Sequence, residues 1–164
     1  MTDLILTDIT DDNSGIFHTL MQEYARELDE HQHRTTAPDI LSRWTDSIVI
    51  RSRGEHTRLL KLCCIGDEAI GFLYAKLDPP DDRGCKRAGQ GCILEFYVVP
   101  AHRRKGYGRT MFREIERFFA VLGAAQMYLT ADPVTGKPFW SAMGFIGTGE
   151  RSSDNGQEIF ERAV

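Results

Sequence analysis

The residues with the clearest chemical potential form a short basic turn. Residues 103–109 carry four cations and two glycines, in the order Arg103, Arg104, Lys105, Gly106, Tyr107, Gly108 and Arg109. The hydrophobic pattern predicts that a helix starts here, and the unsatisfied N–H groups of a helix start favour an anion. Glycines let that backbone approach a bulky ligand closely. The turn therefore suits a polyanionic phosphate ligand, although a basic turn with solvated charges has the same composition.

Three phosphate-binding fingerprints compete for this turn. A Walker loop needs G-x-x-x-x-G-K-[ST], and the sequence contains no such run. A dinucleotide fingerprint, G-x-G-x-x-G, fails at its third glycine, where Met111 stands, although Asp132 lies at a tolerable distance to contact a ribose. The third pattern is R/Q-x-x-G-x-G/A after a strand that ends near V-x-P. Residues 98–108 match it in every fixed position.

A carboxylate interrupts the apolar run that precedes the turn. Cys92 to Val99 reads as a central strand covered on both faces, and Glu95 lies within it. An unpaired carboxylate is costly to bury, so a function is expected for it. Alternation puts Ile93, Glu95 and Tyr97 on one face, where Glu95 would serve as a general base. The alternative is a carboxylate satisfied by a neighbouring arginine.

Periodicity and turn residues predict the elements that position these groups. A first strand near Leu4 precedes an amphipathic helix over residues 13–31, whose other face is acidic, and a shorter helix starts at Pro38. Asp11 to Ser14 supplies helix-start chemistry for the first helix. The remaining predicted elements are strands Arg58–Ile65 and Glu68–Leu77, a surface loop Asp78–Gly91, the strand Cys92–Val99, a long helix with Tyr107 to Leu122 on its stripe, a strand Ala124–Thr130, a short helix Gly136–Met143, and a terminal hairpin of Phe145–Gly149 with Glu158–Val164. The strands before and after the long helix should lie parallel.

Composition limits the class of protein. With 164 residues the chain predicts one domain, 1–164, and 41% hydrophobic residues suffice for a core. A net charge of −4 argues against a nucleic-acid partner, and the longest apolar runs fall short of a membrane span. The start of the chain lacks the basic region of a secretory signal, so a cytoplasmic location is predicted. Four cysteines without ligand-spaced histidines predict no metal site.

The chain resembles the GNAT superfamily of N-acetyltransferases. The basic turn with its V-x-P strand end carries the resemblance, and Phe139–Phe145 looks like the family's F-Y-x-x-x-G-F close. The order of elements is similar to the family's whole fold. The resemblance implies an α/β acyl-CoA N-acyltransferase fold, with a mixed, mostly antiparallel central sheet, one parallel splayed pair of strands, and helices on both faces.

The resemblance also implies a cofactor and its site. Acetyl-CoA would lie between the splayed strands, with its pyrophosphate on Arg104 to Arg109 and Arg103 as a further cofactor-binding residue. Phe96, Tyr97 and Val98 would border the thioester, and the backbone of Val98 would aid its carbonyl. The family's general acid is a tyrosine, and Trp140 occupies that position. Because an indole does not titrate usefully, either water, Tyr97 or Tyr128 protonates the thiolate, or Trp140 only packs against the cofactor.

These inferences predict an acetyl-CoA-dependent N-acetyltransferase that acts on a primary amine by direct attack. The acceptor would be a small-molecule or peptide amine, and the acidic residues of the first helix, Glu23, Glu27, Asp29 and Glu30, would select a cationic one or simply form a solvated face. No membrane partner is expected, and a homodimer is one option for the assembly. A non-catalytic acyl-CoA-binding regulator and a dinucleotide-binding module are the two alternatives.

Overall fold

In the computed structural model, residues 3–81 and 87–164 are described. The four helices of these residues are α1 (Ser14–Gln32), α2 (Pro38–Ser52), α3 (Tyr107–Val121) and α4 (Gly136–Ala142). The strands are β1 (Leu4–Thr7), β2 (Arg58–Ile65), β3 (Glu68–Leu77), β4 (Gly91–Val98), β5 (Gln126–Thr130), β6 (Ile146–Arg151) and β7 (Glu158–Ala163). Pro100–His102 forms a single 3₁₀ turn between β4 and α3.

The strands join one sheet in the order β1-β2-β3-β4-β5-β7-β6. Most neighbours are antiparallel, and β4 with β5 is the parallel pair, with Gly91 opposite Met127 and Cys92 opposite Tyr128. The helix α3 connects these two strands, as expected for a β-α-β unit. The predicted mixed α/β fold class is confirmed. None of the described helices is long and apolar enough to cross a bilayer.

Contacts divide the chain into two compact units. The first comprises Met1–Tyr74 and Glu95–Met111, and the second comprises Ala75–Leu94 and Phe112–Val164. The divisions fall inside β3, β4 and α3, so they are not boundaries between consecutive domains. The prediction of one domain over 1–164 stays a prediction.

The core of the first unit lies between its two helices and its strands. Phe17 and Met21 of α1 are fully buried with Phe72 of β3, and the rings of Phe17 and Phe72 meet edge to face at 5.2 Å. Tyr97 of β4 belongs to the same cluster. The helix therefore buries most of its predicted apolar stripe, but Ile16, which was predicted to begin that stripe, is 47% exposed.

The core of the second unit is rich in aromatic rings. Phe112, Trp140 and Phe145 pack at centroid separations of 5.3 to 5.7 Å. Gly91 lies against Phe119, since a Cβ added at Gly91 would meet that ring at 2.6 Å. A glycine is needed there because any larger residue would displace the ring.

The predicted surface loop Asp78–Gly91 needs correction at both ends. Asp78 is completely buried, its backbone N–H bonds to the carbonyl of Gln90 at 2.8 Å, and Gly91 is already part of β4. The Tyr128 hydroxyl donates to Asp78 Oδ2, and Lys76 Nζ lies 3.3 Å from Oδ1. These partners compensate a charge whose burial would otherwise be costly. Residues 82–86 of this loop, Cys85 among them, lie outside the described residues.

The start of α1 differs in detail from the sequence prediction. The helix begins at Ser14 after Asn13, but the Asn13 side chain turns back along the chain instead of capping the helix. Its Oδ1 accepts from the Thr10 N–H at 2.7 Å, and its Nδ2 donates to the Asp8 carbonyl at 2.9 Å. The polar side chain therefore stabilises the preceding turn, an alternative that asparagine offers to helix capping.

Candidate acetyl-CoA site and general base

The basic turn has an unusual backbone. Arg104 has φ +65° and Gly106 has φ +89°, both in the left-handed region. A Cβ added at Gly106 would meet no heavy atom within 4 Å, so the backbone there faces open space. Glycine adopts this conformation without strain, whereas arginine does so at a cost. Gly108 lies within the first turn of α3.

The start of α3 presents hydrogen-bond donors beside the cations. The N–H of Thr110 bonds to the carbonyl of Gly106 at 3.2 Å, so the N–H groups of residues 107–109 precede the helical bonding pattern. Tyr107 is half-buried, and Arg104, Lys105 and Arg109 are exposed. Three exposed cations, an open glycine and a helix start are a donor set that fits a pyrophosphate.

Arg103 has a different environment from its neighbours. Its Nη2 lies 2.6 Å from Glu27 Oε2 of α1, and its Nε donates to the Val98 carbonyl at 2.7 Å. Its guanidinium also lies 5.6 Å from the centre of the Tyr97 ring. The cation therefore joins α1 to the end of β4, and its role in cofactor binding stays a prediction.

Glu95 is half-buried on β4, and its pKa is shifted. Burial raises the pKa to about 7, although the Tyr24 hydroxyl and the nearby Arg34 act in the opposite direction. The Tyr24 hydroxyl donates to Glu95 Oε2 at 2.7 Å. A carboxyl group that titrates near neutral pH is suited to accept and release protons under physiological conditions.

The hydrogen-bond partner of Glu95 is the residue that sequence reasoning missed. An arginine was the expected alternative partner, whereas the structure has a tyrosine on α1. The sequence contained one sign of this contact: Tyr24 lies on the apolar stripe of the first helix, four residues from both Leu20 and Leu28. A tyrosine on a buried helix face needs a partner for its hydroxyl.

Two of the three residues predicted to share one face of β4, Glu95 and Tyr97, both contact Tyr24 of α1. Tyr24 lies 5.5 Å from the Tyr97 ring and 5.5 Å from the Phe72 ring, so Glu95 and Tyr97 both face α1. Burial raises the pKa of Tyr97, and the charges of Glu23 and Glu27 raise it further. The acidic residues of α1 thus lie near the face of β4 that carries Glu95.

The other predicted cofactor contacts on β4 lie at the end of the strand. Phe96 is half-buried and Val98 is buried. The Val98 carbonyl accepts from Arg103, and the N–H of Val99 bonds to the Ile70 carbonyl at 2.8 Å. The contacts of Phe96, Tyr97 and Val98 with a thioester stay predictions.

Trp140, in the second unit, lies in an aromatic cluster. Its side chain is 6% exposed, and its ring meets those of Phe112, Phe139 and Phe145 edge to face. Packing is therefore its observed role, and contact with the cofactor stays a prediction. Tyr128 is buried and donates its hydroxyl to Asp78, and burial raises its pKa. A hydroxyl engaged by a carboxylate is poorly placed to protonate a departing thiolate.

Two of the four acidic residues predicted to select an acceptor have structural partners. Glu27 pairs with Arg103. Asp29 accepts from the N–H of Thr36 at 2.7 Å and pairs with Arg34 at 3.1 Å. Burial opposes ionisation of Asp29, but these bonds outweigh it and lower its pKa. Asp29 therefore holds the loop between α1 and α2.

Comparison with known proteins decides the family. A sequence model described as the acetyltransferase (GNAT) family matches residues 15–145. The chain belongs to the GNAT family. It is an acyltransferase that uses acetyl-CoA, as the resemblance implied. A search of curated proteins finds no match.

Three solved structures share the fold over nearly the whole chain. An acetyltransferase from Thermus thermophilus is 20% identical with a TM-score of 0.70, covering 98% of this chain and 97% of its own. The PaiA N-acetyltransferase of Thermoplasma acidophilum, in complex with coenzyme A, is 16% identical with a TM-score of 0.73, covering 99% of each chain. AAC(6')-Iy in complex with the bisubstrate analog CoA-S-monomethyl-acetylneamine is 16% identical with a TM-score of 0.68, covering 92% of this chain and 95% of its own. At these identities the likeness concerns the fold.

Proposed function

We propose that this GNAT protein transfers the acetyl group of acetyl-CoA to a primary amine by direct attack, with Glu95 as the general base. The half-buried position of the Glu95 carboxyl, on the strand that leads into the basic turn, is the observation that carries the proposal. Burial also raises its pKa to about 7. An alkylammonium must lose a proton before it attacks a thioester. A base that titrates near neutral pH accepts that proton most effectively.

The proposed reaction balances without a covalent enzyme intermediate. The amine nitrogen gives its proton to Glu95, directly or through water, and attacks the thioester carbonyl carbon. A C–N bond forms, and the C–S bond breaks. The adduct nitrogen gives its second proton to water and the CoA thiolate takes one from water, so the amide and the free thiol are both neutral. Water is the proposed donor because Trp140, at the position of the family's tyrosine, has no titratable group, and the Tyr128 hydroxyl is engaged by Asp78.

The basic turn supports the cofactor half of the proposal. Arg104, Lys105 and Arg109 are exposed beside the helix start, and Gly106 has open space in front of it. These residues would hold the pyrophosphate. The turn follows β4, the strand that carries Glu95. The acceptor is proposed to be a small-molecule or peptide amine whose cation is favoured by Glu23, an acidic residue of α1 near Tyr97.

A screen for CoA release tests the function. Purified protein is incubated with acetyl-CoA and single amines, including polyamines, amino-sugar antibiotics and peptide N-termini, and the free thiol is measured. We expect release with at least one amine and a loss of about 100-fold in Glu95→Gln. Binding of acetyl-CoA without release for any amine would favour a non-catalytic acyl-CoA-binding protein, an outcome that the tryptophan at position 140 makes worth testing.

A further inference from the structure

The contact between Tyr24 and Glu95 links α1 to β4 across 71 residues of sequence. The hydroxyl lies 2.7 Å from Oε2, a normal distance for a hydroxyl that donates to a carboxylate. Because the donor is a rigid ring, the bond constrains both the place and the rotation of the carboxylate.

The Tyr24 ring is itself held on two sides. Phe72 meets it edge to face at 5.5 Å with an interplanar angle of 81°, and Tyr97 lies tilted at 5.5 Å. Phe72 is completely buried, and Tyr97 is 5% exposed. A hydroxyl on a ring fixed in this way loses little further freedom when it binds the carboxylate.

We propose that Tyr24 is a positioning residue for Glu95: its hydroxyl holds Oε2, so that Oε1 is directed to the proton of the acceptor amine. This inference rests on the proposed role of Glu95 as the general base. A donor to a carboxylate also favours the ionised form, which is the form that acts as the base. Without the hydroxyl, Glu95 would be protonated over more of the neutral range.

Other charged groups face this pair. Arg34, in the loop after α1, favours the ionised form of Glu95. Around the adjacent Tyr97 ring, the groups that act on its hydroxyl are Glu23, Glu27, Arg103 and Arg26. Removal of the Tyr24 hydroxyl leaves all of these charges in place, so a change in the titration of Glu95 reports on the hydrogen bond.

The first experiment measures the titration of Glu95 directly. Protein labelled with ¹³C at the glutamate side-chain carboxyl is titrated by NMR, and the Glu95 signal is assigned from its absence in Glu95→Gln. Tyr24→Phe should raise the Glu95 pKa by about one unit, because the ring packing is kept and only the donor is lost. Tyr74→Phe is the matched control, since Tyr74 is a buried tyrosine of the same core whose hydroxyl binds Arg58. It should leave the Glu95 pKa unchanged.

The second experiment measures CoA release against pH, with the panel amine that the unmutated protein acetylates fastest. In Tyr24→Phe the acidic limb of kcat/KM should move upward by about one pH unit, so that activity falls about fivefold near pH 7 and recovers above about pH 9. In the Glu95→Gln background, Tyr24→Phe should cause no further change in the dependence of kcat/KM on pH.

The outcomes separate this inference from the proposed function. An unchanged Glu95 pKa in Tyr24→Phe, or a changed pKa with an unmoved activity limb, overturns the role of Tyr24 while the acetyltransferase proposal stands. Full turnover in Glu95→Gln overturns the general base and this inference with it. A limb that moves equally in Tyr74→Phe also overturns the inference, because the effect would then be a general loss of packing.

Discussion

The guanidinium of Arg103 joins Glu27 on α1 to the carbonyl of Val98 at the end of β4, with distances of 2.6 and 2.7 Å. Arg104, the next residue, is exposed and has a left-handed backbone. Two consecutive arginines of one basic turn therefore have different environments. The first contributes to the packing of its unit, and the second is available to a ligand.

Replacement of each arginine should separate stability from cofactor binding. Arg103→Ala should lower the free energy of unfolding by about 1–2 kcal/mol, because it leaves Glu27 and the Val98 carbonyl without this partner. Arg104→Ala should change stability by less than about 0.5 kcal/mol and weaken acetyl-CoA binding about 5- to 10-fold, since other cations share the phosphate charge. Urea denaturation and titration calorimetry measure the two effects. Loss of stability in Arg104→Ala, with weaker acetyl-CoA binding and unchanged stability in Arg103→Ala, would contradict the different environments of the two arginines.

The second prediction concerns turnover in Glu95→Gln. Turnover should fall about 100-fold near neutral pH, and the difference should shrink as the pH rises and the acceptor amine deprotonates unaided. Glu55→Gln is a suitable control, because Glu55 is an exposed carboxylate that accepts a hydrogen bond from the hydroxyl of Thr57, two residues along the chain. A loss that stays constant from pH 6 to 10 would argue that Glu95 has a structural role instead.

Stability should also depend on Glu95, with a defined sign. Burial raises its pKa from 4.5 to about 7, so the unfolded chain releases this proton at lower pH than the folded chain. Between these values the unfolded state binds fewer protons, and stability falls as the pH rises. Glu95→Gln should therefore be more stable than the unmutated protein at pH 8, by about 1–3 kcal/mol, and should lose this advantage at pH 4. Urea denaturation at both pH values measures the difference, and an equal advantage at both would contradict the raised pKa.

The fourth prediction tests the close approach of β3 to β4. A Cβ added at Gly71 would lie 2.1 Å from the Tyr97 carbonyl oxygen, a distance that requires the backbone to move. Gly71→Ala should therefore destabilise the protein by about 3 kcal/mol or more and disturb the strand that carries Glu95. Gly15→Ala is the matched control, since a Cβ at this position of α1 meets nothing within 4 Å. It should be neutral or slightly stabilising by thermal melting, and a Gly71→Ala protein as stable as this control would refute the close approach.

Most of the fold could be predicted because the local signals agree with one another. The bounds of β2 and β3 were predicted correctly, since two β-rich runs flank Gly66, which has φ +58° in the structure. The burial of Asp78 could not be predicted, because its compensating partner Tyr128 lies 50 residues further along the chain. A charged residue next to prolines and glycines otherwise indicates a surface loop.

The candidate site was predictable to the extent that it is continuous in sequence. The turn 103–109 was indicated by its phosphate-binding pattern. Glu95, a few residues earlier in the sequence, was indicated because it interrupts an apolar run. The contact of Glu95 with Tyr24 depends on how α1 lies against β4, which periodicity does not specify. The ion pair between Arg103 and Glu27 could not be predicted for the same reason, because Glu27 lies on another element, α1.

The last prediction tests the turn through the linkage of binding to folding. A ligand that binds only the native state stabilises it by RT ln(1 + [L]/Kd), so acetyl-CoA at about 100 times its dissociation constant adds about 2.7 kcal/mol. For a domain of this size the melting temperature should rise by about 5–10 °C. Gly106→Val should abolish that rise. A β-branched side chain disfavours φ +89° and would fill the open space before the backbone where the pyrophosphate is proposed to bind.

Gly54→Val separates the loss of binding from the strain of the substitution. Gly54 has φ +71°, and a Cβ there also meets nothing within 4 Å, but it follows α2, away in sequence from the basic turn. Both variants should therefore melt at lower temperature without ligand, by similar amounts, because both force a β-branched residue into the left-handed region. With acetyl-CoA, Gly54→Val should recover the full rise and Gly106→Val should not. Equal rises in the two variants would show that the pyrophosphate does not bind at Gly106.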